Sequence, residues 1–297
     1  MRTETQRIYR ERILRVLLHI QKNLDEPLAL DDLADLAHFS PYHFHRVFKG
    51  MVGEGVKEHI RRLRVERAAM QLKQTDLPVT TIAFGAGYGA HAAFTRAFRA
   101  MFGDAPSGFR SNHSPLVFAA SPSGVHFDPE KGPSDFNPLE EGSTMDVRIE
   151  QVKEMKVAFV RHLGPYDQCG SAWEKLTGWA APQGLLGAGP TFIGICHDDP
   201  EVTPPDKVRY DACLTVEEDF EPGGDIGVQT IAAGEYAVTT HIGPYSKLGD
   251  TYAKLFGQWL PQNGREPAPQ PGFEIYLNDP DGTEPEELLT DIYVPLA

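Results

Sequence analysis

The stretch Phe44-His45-Arg46-Val47-Phe48-Lys49 returns fifty residues later as Phe94-Thr95-Arg96-Ala97-Phe98-Arg99. Gly53 and Gly103 keep the same offset and suit helix C-termini, where the chain needs a positive φ. Ahead of the first copy, Leu30, Leu33, Ala34 and Ala37 form an i, i+3, i+4, i+7 apolar stripe, with Asp31 and Asp32 at the positive helix start. Ser40-Pro41 then supplies a capping hydroxyl and a proline suited to the first helical position. The second copy follows Val79, Ile82 and Ala83 and the turn residues Gly87-Tyr88-Gly89, with Gly89 where a capping Ser or Asn would serve better. Two helices joined by a tight turn, occurring twice, predict paired helix-turn-helix units.

The second helix of the first unit divides its faces. Phe44, Val47, Phe48 and Met51 form an apolar side, and Tyr42, His45, Arg46 and Lys49 the opposite one. A major-groove reader needs long donors there: Arg can bond guanine bidentately, and His or Tyr can bond bases or phosphates. A solvated amphipathic helix would give the same pattern once, but the fifty-residue return of an Arg between two Phe weighs against it. Charge points the same way. The whole chain of 297 residues has a net charge of −14, yet residues 1–113 carry 17 Lys+Arg against 12 Asp+Glu and hold seven of the eleven His. The remaining residues carry 11 against 30, so the asymmetry suggests phosphate binding at one end only.

From about residue 10 to Arg110 the chain resembles the DNA-binding domain of the AraC/XylS family of transcription regulators. The likeness rests on Leu33-Ala34, Ser40, Phe44, Arg46-Val47-Phe48-Lys49, Gly53, Ile60, Arg64, Ala68 and Leu72, and continues through Ile82-Ala83, Gly87-Tyr88, Phe94, Arg96, Phe98, Gly103, Pro106 and Phe109-Arg110. It implies two units joined by a long helix, here about Gly55–Gln74, with both second helices entering successive major grooves. Base-facing positions would be Pro41, Tyr42, His45 and Arg46, then Ala90, His91, Ala92, Thr95 and Arg96. Because Ala90, Ala92 and Ala93 offer no hydrogen bonds, His91, Thr95, Arg96 and Arg99 are expected to hold phosphates, while Tyr42–Arg46 carry most of the readout with Lys49 beside them. Arg64 reads as a structural ion-pair partner.

The second half also repeats. His162-Leu163-Gly164-Pro165-Tyr166 recurs as His241-Ile242-Gly243-Pro244-Tyr245, seventy-nine residues on. Helical patterns follow each, with Trp173, Leu176 and Trp179 in one and Tyr252, Leu255 and Trp259 in the other. Phe192…Asp199-Pro200 then matches Phe273…Asp279-Pro280, and Tyr210–Leu214 matches Thr290–Val294. β-Branched runs at 156–162, 209–216, 236–242 and 291–295 predict strands. Between the halves, Pro115, Pro122, Pro129, Pro133 and Pro138 with scattered Ser and Gly read as a linker. The predicted fold is multidomain: an all-α double helix-turn-helix domain over 1–113, a linker over 114–144, and an α+β domain with a pseudo-two-fold repeat over 145–297.

Residues 145–297 resemble the GyrI-like effector-binding domain, on the doubled His-x-Gly-Pro-Tyr, the Phe273-Glu274-Ile275-Tyr276-Leu277 strand with Asn278-Asp279-Pro280 after it, and the Tyr293-Val294-Pro295-Leu296 ending. With the first half, this is the layout of Rob-like regulators. The resemblance implies an aromatic cleft that accepts hydrophobic, often cationic, compounds, with a buried Glu at Glu274. Physics agrees, since a carboxylate among aromatics binds a lipophilic cation by charge pairing and cation–π contacts. The expected liners are Tyr166, Trp173, Phe192, Tyr245, Tyr252, Trp259 and Tyr276, although any one of these rings taken singly reads more readily as plain core. Some GyrI-like relatives hydrolyse reactive electrophiles with a Glu and a Tyr, which would place that chemistry on Glu274 with Tyr166 or Tyr245.

Other chemistries have little support. Cys169, Cys196 and Cys213 are widely spaced and read as reduced thiols of a cytoplasmic protein. His43 and His45 diverge on a helix, and Leu277 and Leu288 occupy liganding positions of the Ca²⁺-like Asp279-Pro280-Asp281-Gly282 stretch. No phosphate-binding or nucleophile-elbow motif is present, no apolar run nears the ~18 residues of a membrane span, and no secretory leader is evident. The expectation is a regulator without cofactor or metal. Its partners would be double-stranded promoter DNA at an asymmetric site, a small hydrophobic or cationic effector, and RNA polymerase.

Overall fold

The computed structural model describes residues 3–112, 115–130, 133, 136, 138–139, 145–187, 189–221 and 223–297. They fall into two compact units, Gln6–Glu140 and Glu141–Ala297 with Met1–Thr5. No helix among the described residues is long and apolar enough to cross a membrane.

The first unit is helical. After α1 (Glu4–Lys22), the first helix pair is α2 (Leu30–Ala37) and α3 (Pro41–Val52), and the second is α5 (Val79–Gly85) and α6 (His91–Phe102), with α4 (Val56–Gln74) between the pairs and α7 (Pro106–Ser111) last. The turns differ in chemistry but share a left-handed residue, His38 at φ 56° in the first and Gly87 at φ 81° in the second. Gly53 and Gly103 end α3 and α6 at φ 83° and 76°, and each donates its N–H to the carbonyl four residues back. The connecting helix starts one residue later than its sequence suggests, with Gly55 as the residue before its first turn. Phe44, Phe48, Phe94 and Phe98 are fully buried, as the periodicity requires.

One expectation changes. Arg64 makes no ion pair among the described residues: its Nε donates to Leu24 O at 2.8 Å and its Nη2 to Glu26 O at 3.1 Å, closing the chain end that follows α1. The ion pairs belong to its neighbours, Arg62 with Glu54 and Glu66, and Arg67 with Asp25. The proline-rich segment, where described, packs on the helices of this unit. Leu116 packs into the core around Phe94 and Phe98. Further on, Glu66, 2% exposed on α4, accepts from the Phe127 N–H at 2.8 Å and faces His126 Nδ1 at 3.0 Å. Gln21 donates to His126 O and accepts from the Asp128 N–H. Leu139 N–H donates to Met51 O near the end of α3. Extended backbone cannot satisfy itself, so the segment's polar groups find their partners on the helices.

The second unit is one eight-stranded antiparallel sheet. In chain order the strands are β1 (Arg148–Val152), β2 (Met155–Leu163), β3 (Phe192–Cys196), β4 (Arg209–Thr215), β5 (Gly227–Ile231), β6 (Gly234–Ile242), β7 (Phe273–Tyr276) and β8 (Leu289–Pro295). They lie side by side as β1-β6-β8-β7-β3-β4-β2-β5. Helix α8 (Gly170–Ala180) follows β2, and α9 (Leu248–Lys254) follows β6, continuing through a π turn at Leu255–Trp259 into α10 (Leu260–Gln262). The four strands expected from β-branched runs are β2, β4, β6 and β8. The sheet adds β1 and β5, which are exchanged: β1 of the first repeat pairs with β6 of the second, and β5 of the second with β2 of the first. The two repeats are therefore interlocked. Central pairing sets Gly194 opposite Glu274, so the pseudo-two-fold passes through these two residues. That register makes Ile193, not Phe192, the counterpart of Phe273.

Candidate effector cleft and DNA-reading helices

Helix α3 begins with the Ser40 hydroxyl accepting from His43 N–H at 3.3 Å. On its polar side the Arg46 guanidinium lies 4.0 Å from the centre of the Tyr42 ring, a cation–π contact. His45 and Arg46 are only 3% and 6% exposed, whereas Pro41 is exposed and Tyr42 and Lys49 are half-buried. This side is therefore not the solvated surface that the pattern alone allows. Burial, reinforced by the Arg46 charge, pushes His43 down to about 4, so it carries no charge near neutral pH. Helix α6 differs. Its leading residue is Ala90, not Gly89, and no side chain caps it. His91, Ala92, Arg96 and Arg99 are exposed and Thr95 is half-buried.

The cleft is built on the central strands. Alternation on β3, β7 and β4 sends Phe192, Gly194 and Cys196, Glu274 and Tyr276, and Tyr210 to one face, the face on which Trp173 of α8 and Tyr252 of α9 also meet the sheet. Glu274 is 3% exposed and fully enclosed by donors. Its Oε1 accepts from Tyr252 OH at 3.1 Å and from the Cys196 thiol at 3.5 Å, and its Oε2 accepts from Tyr276 OH at 2.9 Å. A carboxylate removed from water needs such bonds. The network continues outward. The hydroxyls of Tyr276 and Tyr210 are 2.8 Å apart, and Trp173 Nε1 donates to Tyr210 OH at 3.2 Å. Burial, and then the Glu274 charge, hold the Tyr276 hydroxyl well above its ordinary range; burial does the same for Tyr210, with neighbouring Cys196 and Glu274 adding to it. Both phenols are therefore donors.

Ring contacts draw the walls together. Trp173 meets Tyr276 at 5.8 Å and Phe192 at 6.1 Å, Tyr245 meets Tyr276 at 5.5 Å, and Tyr166 meets Tyr210 at 5.7 Å. The structure thus joins Glu274, Tyr166, Trp173, Phe192, Tyr245, Tyr252 and Tyr276 in one cluster. Trp259 does not join it: among the described residues no ring contact or side-chain hydrogen bond connects it, and it sits at the end of the π turn, which shifts the helical phase. Tyr210 and Cys196 belong to the site although the sequence did not single them out. Gly194 belongs too, because a Cβ there would overlap the phenol oxygens of both Tyr276 and Tyr210. Tyr210 has Thr290 as its counterpart in the second repeat, and that break in the repeat was the available signal.

A family model described as the GyrI-like small molecule binding domain matches residues 145–297. This chain belongs to the GyrI-like family. A helix-turn-helix domain model matches residues 33–112 of the same chain. The GyrI-like half is 32% identical to the probable transcriptional regulator YgiV of Escherichia coli K12 over 158 residues, 52% of this chain and 98% of the relative. Over 304 aligned residues, 95% of this chain and 96% of the relative, it is 25% identical to the transcriptional regulator Rob of Salmonella typhimurium. The solved C-terminal domain of EcmrR superposes with a TM-score of 0.42 at 21% identity, covering 52% of this chain and 99% of that one. An AraC-type helix-turn-helix region followed by a GyrI-like domain makes the protein a transcription regulator of the Rob type.

Proposed function

We propose that the protein is a one-component regulator: it binds promoter DNA through α3 and α6 and senses a lipophilic cation in the GyrI-like cleft. The observation that supports the cation most directly is Glu274, a nearly buried carboxylate walled by Trp173, Tyr245, Tyr276 and Phe192. Its oxygens are already occupied by Tyr252, Tyr276 and Cys196, so a ligand gains from its field and from ring faces more than from a direct hydrogen bond. That favours bulky quaternary cations over small ammonium ions. RNA polymerase is the partner a promoter-bound regulator of this kind engages. Effector binding alters transcription to the extent that it favours one state of the chain over another.

A second reading is hydrolysis of an electrophile in the same cleft, with Tyr252 and Tyr276 within hydrogen-bond distance of Glu274 in place of the Tyr166 or Tyr245 expected from the sequence. One experiment separates the two. Thermal shift with tetraphenylphosphonium is measured for the wild type and Glu274→Gln, while small electrophiles are followed for product formation. Binding that weakens tenfold or more in Glu274→Gln, with no product, supports sensing; turnover lost in the variant supports hydrolysis; no response to any cation overturns the sensing assignment.

A further inference from the structure

The repeats of the GyrI-like domain differ at a second place, well defined by their symmetry. In the first repeat the space between β2 and α8 is filled: Val160 and Ala172 pack with Ile226 in one apolar core, and Lys175 pairs with Asp225 at 2.9 Å. The corresponding residues of the second repeat are Thr239, Thr251, Val147, Lys254 and Asp146, by the same seventy-nine-residue offset that relates β1 to β5 and β2 to β6. Here the space is open. Pairing of β6 with β1 stops at Val238–Arg148, and beyond it Thr239, His241, Thr251, Lys247 and Lys254 line a cavity of about 540 Å³. The floor is polar and ordered: Thr239 Oγ1 donates to Asp146 O at 2.8 Å, and His241 Nδ1 lies 2.8 Å from Thr251 Oγ1. The ion pair of the first repeat is not remade, since among the described residues neither Lys254 nor Lys247 has a carboxylate within bonding distance. Arg148, also at the rim, is already neutralised by Asp291 and Glu150.

From this loss of apolar filling together with two free ammonium groups, we infer a second ligand site, separate from the aromatic cleft, for a small polar anion bearing carboxylate or phosphate. The volume suits a small molecule. The cavity lacks aromatic walls and so disfavours lipophilic cations, and Asp146 and Asp250 in its lining favour an anion that also carries hydroxyl donors. Lys247 and Lys254 would hold the anionic group, and the threonine hydroxyls would orient the rest.

Citrate and inorganic phosphate, titrated separately into the full chain at fixed ionic strength, test the assignment by thermal shift. A saturable rise in Tm with at least one of them is expected, with apparent affinity falling at least tenfold in Lys247→Ala/Lys254→Ala. Both lysines are exposed, so that variant keeps its fold, which circular dichroism checks. Thr239→Val/Thr251→Ala, which restores the side chains of the first repeat, should abolish the response. A shift reproduced by sodium chloride alone, one unchanged in the lysine variant, or no shift with either anion would overturn the site.

Discussion

Helices α3 and α6 bury the same rings, Phe44 and Phe48 in one and Phe94 and Phe98 in the other, and each ends on a left-handed glycine. Their polar sides have diverged. His45 and Arg46 on α3 are nearly covered, while the matching Thr95 and Arg96 on α6 are half-buried and exposed. Ser40 caps α3, but Ala90 leaves α6 uncapped. Just past α3, Glu54 accepts from Arg62 and from His59, whereas Asp104 at the equivalent place accepts from the neighbouring Ala105 N–H. The apolar pattern therefore fixes two copies of one framework, and local polar chemistry makes them unequal: one braced, the other open.

If the frameworks are equivalent, Phe48→Ala and Phe98→Ala should each cost about 3–5 kcal/mol, because both leave a ring-sized void in a packed core. Denaturant unfolding of the two variants checks this, and a difference larger than about 2 kcal/mol would show that the repeat in sequence is not a repeat in energy.

The bracing should appear in the first pair alone. Glu66→Ala removes one of the two carboxylates on the Arg62 guanidinium, which keeps Glu54, and leaves the Phe127 N–H without its acceptor, at a cost of about 1–3 kcal/mol. Hydrogen exchange should then rise across residues 115–130 and the end of α3 more than across α6; uniform loosening would contradict it. Acid probes the same network. Burial alone would raise Glu54, but the bonds from His59 and Arg62 overcome it and hold the carboxyl at about 2. Its contribution is then complete above the ordinary value near 4.5 and is lost as pH falls from there through about 2. Glu54→Gln should flatten the acid-unfolding curve of the wild type over that window.

On DNA, the inequality predicts different kinds of loss. If α3 carries the readout, Arg46→Ala should cost about 1–3 kcal/mol on the preferred site and little on random sequence, whereas Arg96→Ala should weaken both alike and lower the salt slope by about one. Because Arg46 is 6% exposed and rests on Tyr42, reading a base with it requires rearrangement around α3. Tyr42→Ala, which removes only the cation–π contact, therefore should not mimic Arg46→Ala. Equal sequence dependence for Arg46→Ala and Arg96→Ala would make the two helices interchangeable readers.

The features legible in the sequence were those that recur. The paired Phe-x-Arg-x-Phe segments and the doubled His-x-Gly-Pro-Tyr gave both architectures and most of the cleft, because a repeat filters out accidental patterns. What escaped depends on partners distant in the chain. Tyr210 and Cys196 reach Glu274 only through the pairing of β3 with β4 and β7, and β1 and β5 are short, half-exposed strands whose pairing is exchanged between repeats. The partners of the proline-rich segment escaped for a different reason: its backbone N–H and C=O groups bond to Glu66 and Gln21, and backbone groups leave no compositional trace.

The smallest expected effect isolates the cap. Ser40 satisfies one of the first N–H groups of α3, and at 3.3 Å its bond to His43 N–H is long, so Ser40→Ala should cost about 1 kcal/mol or somewhat less. Ala90 already has the extended backbone of a capping residue, with φ −148° and ψ 137°, and needs only a hydroxyl. Ala90→Ser should then stabilise the chain by a similar amount, and the double variant should return close to the wild type if the two caps are independent. A null effect of Ala90→Ser, measured by denaturant midpoint at constant slope, would mean that the start of α6 is set by the turn at Gly87 and Tyr88 instead of by its capping chemistry.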